Sequence, residues 1–223
     1  AWWEIDSPEI HPEQLGYADS ADLATKTAAI ADAAAVASAL QRVLRFGPKT
    51  YRVDYAADEA DAIDLTNVTM RGASSESTHI VTTVYELYLF ESVFTTRGNT
   101  DVKDISFTVE NGDGLAGYSE TLFRYSGGNI RFRDCKITRP QSSPERPMIS
   151  IFMSLGDLDP ADTPNNDIIF ERCIIERYNL HLKAVENDGD ARIIVRDCVL
   201  KSPDRRFAIN FVTDSPSPVN YLE

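Results

Sequence analysis

Each of the three cysteines in this chain occupies the same place in one recurring pattern. The first copy is Asn129-Ile130-Arg131-Phe132-Arg133-Asp134-Cys135-Lys136-Ile137. The second is Asp167-Ile168-Ile169-Phe170-Glu171-Arg172-Cys173-Ile174-Ile175. The third is Arg192-Ile193-Ile194-Val195-Arg196-Asp197-Cys198-Val199-Leu200. Apolar residues stand five before, three before and two after every cysteine. Strand side chains alternate between faces, so Ile130 and Phe132 point one way, Asp134 marks a bend, and Cys135 and Ile137 form a second inward pair. A repeated strand-bend-strand unit with fixed apolar places builds a coil that stacks on its neighbours, which is a solenoid.

The pattern extends upstream with more scatter. Ile63, Leu65, Val68 and Met70 fit the four apolar places, Leu87, Leu89, Ser92 and Phe94 fit them again, and Ile105 and Phe107 fit the first two. The implied rungs start near residues 63, 87, 105, 130, 168 and 193. The long step before residue 168 implies an inserted loop, for which Thr138 to Glu145 and Gly156 to Asn166 are the candidates. An antiparallel sandwich is the alternative for short alternating strands. Three cysteines in one phase argue for the inward stack. The expected fold is an all-β, right-handed, single-stranded parallel β-helix with an N-terminal capping α-helix. Its parts are a lead-in (1–21), the capping helix (22–48), the β-helix (49–212) and a Ser/Pro-rich tail (213–223).

The formal charge of −13 disfavours nucleic acid and anionic membranes as partners; an acidic sugar polymer would need a local basic patch. Three cysteines at stacked inward positions read as free thiols of a core ladder rather than a disulfide framework. They contain no Cys-x-x-Cys pair and do not converge on one ion, so no metal site is expected, and no cofactor is implied. No ordered loop motif marks a calcium site. No apolar run is long enough to cross a membrane, and no secretory signal peptide is found. The chain starts without methionine and its last repeat runs into Thr213 to Val219 without a terminal cap. It therefore reads as a fragment, or as a solenoid whose end a partner covers.

Pro8 and Pro12 argue against regular structure in the lead-in. Residues 22 to 45 form the expected helix, with Ile30, Ala34, Ala37, Leu40 or Gln41, and Leu44 on one face, Asp22 as N-cap and Gly47-Pro48 as the stop. Such a face of small residues suits close packing over an open first coil, where it hides unpaired strand edges. A strand with Tyr51, Val53 and Tyr55 on one face follows.

These N-terminal pieces carry a resemblance. Pro12-Glu13-Gln14-Leu15-Gly16, the helix core Thr27-Ala28-Ala29-Ile30 and the strand Gly47-Pro48-Lys49-Thr50-Tyr51-Arg52-Val53 stand in the order found in the pectate-lyase-like right-handed β-helices. The group meant is that of phage tail spikes and capsular polysaccharide depolymerases. The family's Gly/Asp-rich turn before the helix is replaced here by Ala18-Asp19-Ser20-Ala21-Asp22. The resemblance implies a bacterial surface polysaccharide as partner, a homotrimer, and a virion-tail or extracellular setting. The implied chemistry is glycosidic hydrolysis or β-elimination. A shared scaffold does not fix an activity. A glycan-binding module without cleavage and a purely structural fibre segment remain as alternatives.

Hydrolysis needs two carboxyls flanking the bond, about 5–5.5 Å apart for retention and about 6.5–9.5 Å for inversion. Outward carboxylates one or two rungs apart meet such spacings. Glu171 and Asp157 are taken as the catalytic pair. Glu176, Asp159, Glu186, Asp188, Asp190, Glu110 and Asp113 read as solvated turn or strand-face acids. Arg133 and Arg139 are taken as substrate-binding residues within a basic cluster with Arg131 and Lys136, which Arg172, Arg177 and Arg196 extend. Pairing of that cluster with Glu171, Glu176 and Asp197 across rungs is the competing reading. Tyr125, Tyr178 and His181 complete the expected sugar contacts.

Overall fold

A computed structural model describes residues 7–54, 62–84, 92–111, 120–125, 128–138, 149–150, 166–176, 180–184, 191–201 and 209–213. Asp157, Arg139 and Tyr178, together with Leu87, Leu89, Tyr55 and residues 139–145 and 156–165 of the candidate insertion loops, lie outside these residues.

The chain opens with β1 (Glu9–Ile10), a 3-10 turn at Pro12–Leu15, and helix α1 (Leu23–Leu40). It then winds through six coils of three strands. These are β2 (Val43–Arg45), β3 (Thr50–Val53) and β4 (Ile63–Asp64); β5 (Thr69–Arg71), β6 (His79–Val84) and β7 (Ser92–Thr96); β8 (Thr100–Lys103), β9 (Ser106–Asn111) and β10 (Glu120–Tyr125). They continue as β11 (Ile130–Arg133), β12 (Lys136–Thr138) and β13 (Ile149–Ser150); β14 (Asn166–Glu171), β15 (Ile174–Glu176) and β16 (Leu180–Ala184); β17 (Ala191–Arg196), β18 (Val199–Lys201) and β19 (Ile209–Thr213). Every third strand pairs in parallel. The first sheet runs β1-β2-β5-β8-β11-β14-β17, the second β3-β6-β9-β12-β15-β18, and the third β4-β7-β10-β13, with β16 and β19 paired beyond it. This is the expected right-handed parallel β-helix.

One inner column of the first sheet stacks Ile10, Leu44, Met70, Val102, Phe132, Phe170 and Val195. Across the core, Phe94 stacks on Phe123 with ring centroids 5.0 Å apart, and Phe132 stacks on Phe170 at 5.0 Å. The first sheet turns into the second at a single residue per coil. Asp104, Asp134, Arg172 and Asp197 all hold positive φ there, a region that Asp and Asn tolerate better than most residues. The next residues stack as Ile105, Cys135, Cys173 and Cys198. All three cysteines are free. Cys135 and Cys173 are buried and Cys198, in the last coil, is half-buried. The Cys173 thiol lies 3.5 Å from the Phe132 carbonyl one coil before. Its neighbour Cys135 and burial push its pKa up to about 12.

Five expectations change. Val68 and Met70 belong to the first two places of the pattern, since Thr69 pairs with Asp101 and Met70 with Val102. Ile105 and Phe107 occupy the last two, beside Cys135 and Ile137. Ile63 and Phe94 pair with each other in the third sheet. The helix ends at Leu40 rather than running to residue 45 or 48, because Gln41 takes the left-handed conformation and its N–H caps Ala37 and Ser38 carbonyls. Leu44 is therefore a buried strand residue and Leu40 is exposed. The lead-in is not irregular: its two prolines flank a strand that pairs with β2.

Helix α1 also departs from the membrane expectation. Its 18 residues, with a mean hydropathy of 1.3, are long and apolar enough to cross a membrane by length and composition. Here Ala29, Ile30, Ala33, Ala34 and Ala37 are buried against the first coil. Asp22 caps its start, accepting from the Thr25 N–H at 2.7 Å. Ser38 donates to the Thr66 carbonyl at 2.8 Å. Enlarging fully buried Ala33 or Ala37 is expected to cost about 1–3 kcal/mol, because the added atoms must fit between helix and coil.

Candidate functional site

The register of the first sheet assembles rows that no sequence-local cluster reveals. Outward side chains of one row are Val43, Thr69, Asp101, Arg131 and Ile169, one per coil. Two residues earlier on each coil stand Gln41, Asn67, Asn99, Asn129 and Asp167. Two residues after the first row stand Arg45, Arg71, Lys103, Arg133 and Glu171.

A groove of about 460 Å³ runs along the first two rows. It is lined by the amide row together with Thr69, Thr100, Asp101, Arg131 and Ile169. Gln41, Asn67, Asn99 and Arg131 are exposed. The turn below the amides is held tight by Gly98 and Gly128. Gly128 has a φ of 78°, and a Cβ added there would lie 2.7 Å from the Gly98 Cα on the coil before. Asn129 also braces the next coil, its Oδ1 accepting from the Asp167 N–H at 3.2 Å.

Asp101, one of the two acids that line the groove, is already engaged. Asp101 accepts from Arg133 through both oxygens, Oδ1 from Nε and Oδ2 from Nη2. Asp134, beside it at the corner, accepts from Arg172 at 2.7 and 2.8 Å. The Arg172 guanidinium holds the Asp134 carboxyl below its ordinary range, against a smaller opposing effect of burial.

The expected site residues do not come together. Glu171 ends β14 in the third row, with Arg196 at 3.7 Å, and its expected partner Asp157 is outside the described residues. Arg133 is on the groove's edge, bound to Asp101. Tyr125 pairs with Thr96 in the third sheet, and His181 pairs with Asn210 in β16; neither strand belongs to the sheet that carries the groove. The expected basic cluster is split by the corner, with Arg131 and Arg133 on the first sheet and Lys136 on the second. Cross-rung pairing accounts for much of the remainder: Arg196 with Glu171, Lys201 with Glu176 at 2.7 Å, and Arg172 with Asp134. Among the described residues no group of three or more His, Cys, Asp or Glu side chains is placed to hold a metal ion.

The amide row was missed by sequence reasoning. Its signal is the recurrence of Thr66-Asn67, Gly98-Asn99 and Gly128-Asn129 just before an inward-outward strand pair. It is visible only when the coils are in phase.

No protein-family model and no curated protein sequence matches this chain. Among solved structures it is similar to the A-module of the mannuronan C-5 epimerase AlgE6 of Azotobacter vinelandii. That match has 14% identity and a TM-score of 0.44, and covers 86% of this chain and 56% of the other. ORF18 of Geobacillus virus E2 is similar at 13% identity and a TM-score of 0.44, over 92% and 47% of the two chains. The Agl-KA catalytic domain follows at 10% identity and a TM-score of 0.29, over 95% and 52%. The chain spans about half the length of these structures.

Proposed function

We propose that this chain recognises a bacterial surface polysaccharide whose sugar chain lies along the amide row of the first sheet. The observation that carries the reading is the row itself. Gln41, Asn67, Asn99, Asn129 and Asp167 stand one per coil, and parallel strands repeat every 4.7–4.9 Å or so. The four amides offer both donors and an acceptor, the pairing that sugar hydroxyls use, and Asp167 at the end of the row offers acceptors alone. A pyranose chain running along the axis advances by about one rung per ring, so each ring meets one side chain of the row. Ile169 gives the sugar's C–H face an apolar contact beside the exposed Arg131. Recognition is favoured over cleavage because Asp101 already accepts from Arg133 through both oxygens. A homotrimer in a virion tail or extracellular setting belongs to the same proposal.

The test is binding of purified capsular and lipopolysaccharide polymers by the full chain and by Asn99→Ala/Arg131→Ala. Neither substituted side chain holds the fold together. The double variant is expected to bind at least tenfold more weakly with an unchanged melting temperature. Equal binding by variant and wild type overturns the site. Shortened products mean hydrolysis, unsaturated ends mean elimination, and intact bound polymer means recognition alone.

A further inference from the structure

Arg45 and Arg71 stand in direct register on neighbouring coils, and Lys103 and Arg133 continue the same outward column. Four cations one rung apart are notable in a chain whose formal charge is −13. Like charges opposite one another on paired strands oppose folding. Two of the four are compensated: Lys103 lies 3.6 Å from Asp104 and 4.0 Å from Asp134, and Arg133 is bound to Asp101. Arg45 and Arg71 have no carboxylate partner among the described residues. The Arg71 Nε is buried without a hydrogen-bond partner among them. Both arginines are half-buried. They stand two residues beyond Val43 and Thr69, in the row beside the groove that Gln41, Asn67 and Thr69 line.

We infer that Arg45 and Arg71 form a seat for an anionic substituent of the bound sugar chain, so that the ligand is an acidic polysaccharide. This rests on the glycan reading of the same groove and adds the substrate class. A carboxylate placed between the two guanidiniums accepts from both and removes the repulsion. The amide row at the same end holds the ring that carries it. Nucleic acid would supply anions too, and the amide row beside the seat favours a hydroxyl-rich sugar chain over it.

The test is an array of bacterial surface polysaccharides in which each acidic polymer is printed beside its own carboxyl-reduced form, with single-stranded DNA as a further probe. The wild-type chain is expected to bind acidic members at least tenfold more tightly than their reduced forms, and less tightly as salt rises. Arg45→Gln/Arg71→Gln is expected to lose that tenfold on the acidic form, to bind the reduced form unchanged, and to melt no lower than wild type. Arg45→Gln alone carries the test if the double variant does not fold. Equal binding of acidic and reduced forms overturns the anion seat and leaves the glycan reading standing. Tighter binding to DNA than to any glycan overturns the seat's assignment to sugar. Binding to no member overturns both.

Discussion

The Tyr51 hydroxyl donates to the Glu13 carboxylate at 2.8 Å, joining the lead-in turn to the first coil. The same hydroxyl accepts from the Gly47 N–H at 2.8 Å, and Lys49 reaches Glu13 at 2.9 Å. The Lys49 ammonium sits over both the Tyr17 and Tyr51 rings, 4.8 and 5.0 Å from their centroids. This knot locks the 3-10 turn over the end of the solenoid. Tyr51 is fully buried, so Tyr51→Phe leaves Glu13 and Gly47 short of a partner under a ring that still packs. The expected cost is about 1–3 kcal/mol, read as a lower urea midpoint with the slope unchanged.

The same knot sets a pH dependence. Burial pushes the Glu13 carboxyl up, but the Lys49 ammonium, a backbone N–H and the Tyr51 hydroxyl outweigh it and leave it below its ordinary value of 4.5. A carboxyl whose folded pKa is depressed stabilises fully above its unfolded pKa. It loses that contribution as pH falls through the folded value. Glu13→Gln is therefore expected to be less stable than wild type at neutral pH, with the gap closing below pH of about 4.5. Urea midpoints of both proteins across that range check it; a constant gap sinks the account.

Gly72 lies where the other corners carry Asp104, Asp134, Arg172 or Asp197. A Cβ there would come within 2.2 Å of the Asp104 carbonyl oxygen and 2.9 Å of the Ile105 side chain. Backbone on the next coil cannot retreat without breaking the Gly72 N–H to Lys103 carbonyl bond of 2.9 Å. Gly72→Ala is expected to destabilise by about 1–3 kcal/mol. Gly47→Ala, whose Cβ meets only the Tyr51 hydroxyl at 3.4 Å, is the milder comparison in the same denaturation series.

The coil was legible because the cysteine phase is unambiguous, and the upstream error has a physical cause. The pattern consists of two inward pairs joined by a corner, and strand alternation makes the pairs look alike. Val68 and Met70 therefore passed for a second pair, and Ile105 and Phe107 for a first. The corner that tells them apart is one residue: Asp104 at positive φ just before Ile105, as Asp134 stands before Cys135. The site was less legible because its rows come from register. Asn67, Asn99 and Asn129 lie far apart in the chain and meet only once each coil is placed, whereas Arg131 and Lys136, close in sequence, turn onto different sheets.

The thiols give a chemical check on the ladder. Cys135 and Cys173 are buried out of reach of a solution reagent, and the neighbouring Cys135 thiol and burial push the Cys173 pKa up to about 12. Cys198 is half-buried, and the adjacent Cys173 thiol and burial raise its pKa as well. Iodoacetamide at pH 8 is expected to label Cys198 slowly and the other two only in denaturant. Rapid native labelling of Cys135 or Cys173 would place those sulfurs outside the core.

Arg172 separates backbone from charge at a corner. It holds a φ of 53°, uncomfortable for a long side chain, while its guanidinium pairs with Asp134 one coil before. Asn tolerates that backbone better, and an exposed ion pair contributes little, so Arg172→Asn is expected to melt close to wild type. Arg172→Asp shares the backbone advantage and matches the other corners. It also sets a third carboxylate between Asp134 and Asp197, where the cation now stands. Its melting temperature is expected to fall below that of the Asn variant at low ionic strength, with the difference shrinking in molar salt. Equal melting of the two variants at low salt would mean that Asp134 does not feel this corner, and that the cross-rung pair contributes nothing to the stacking of these coils.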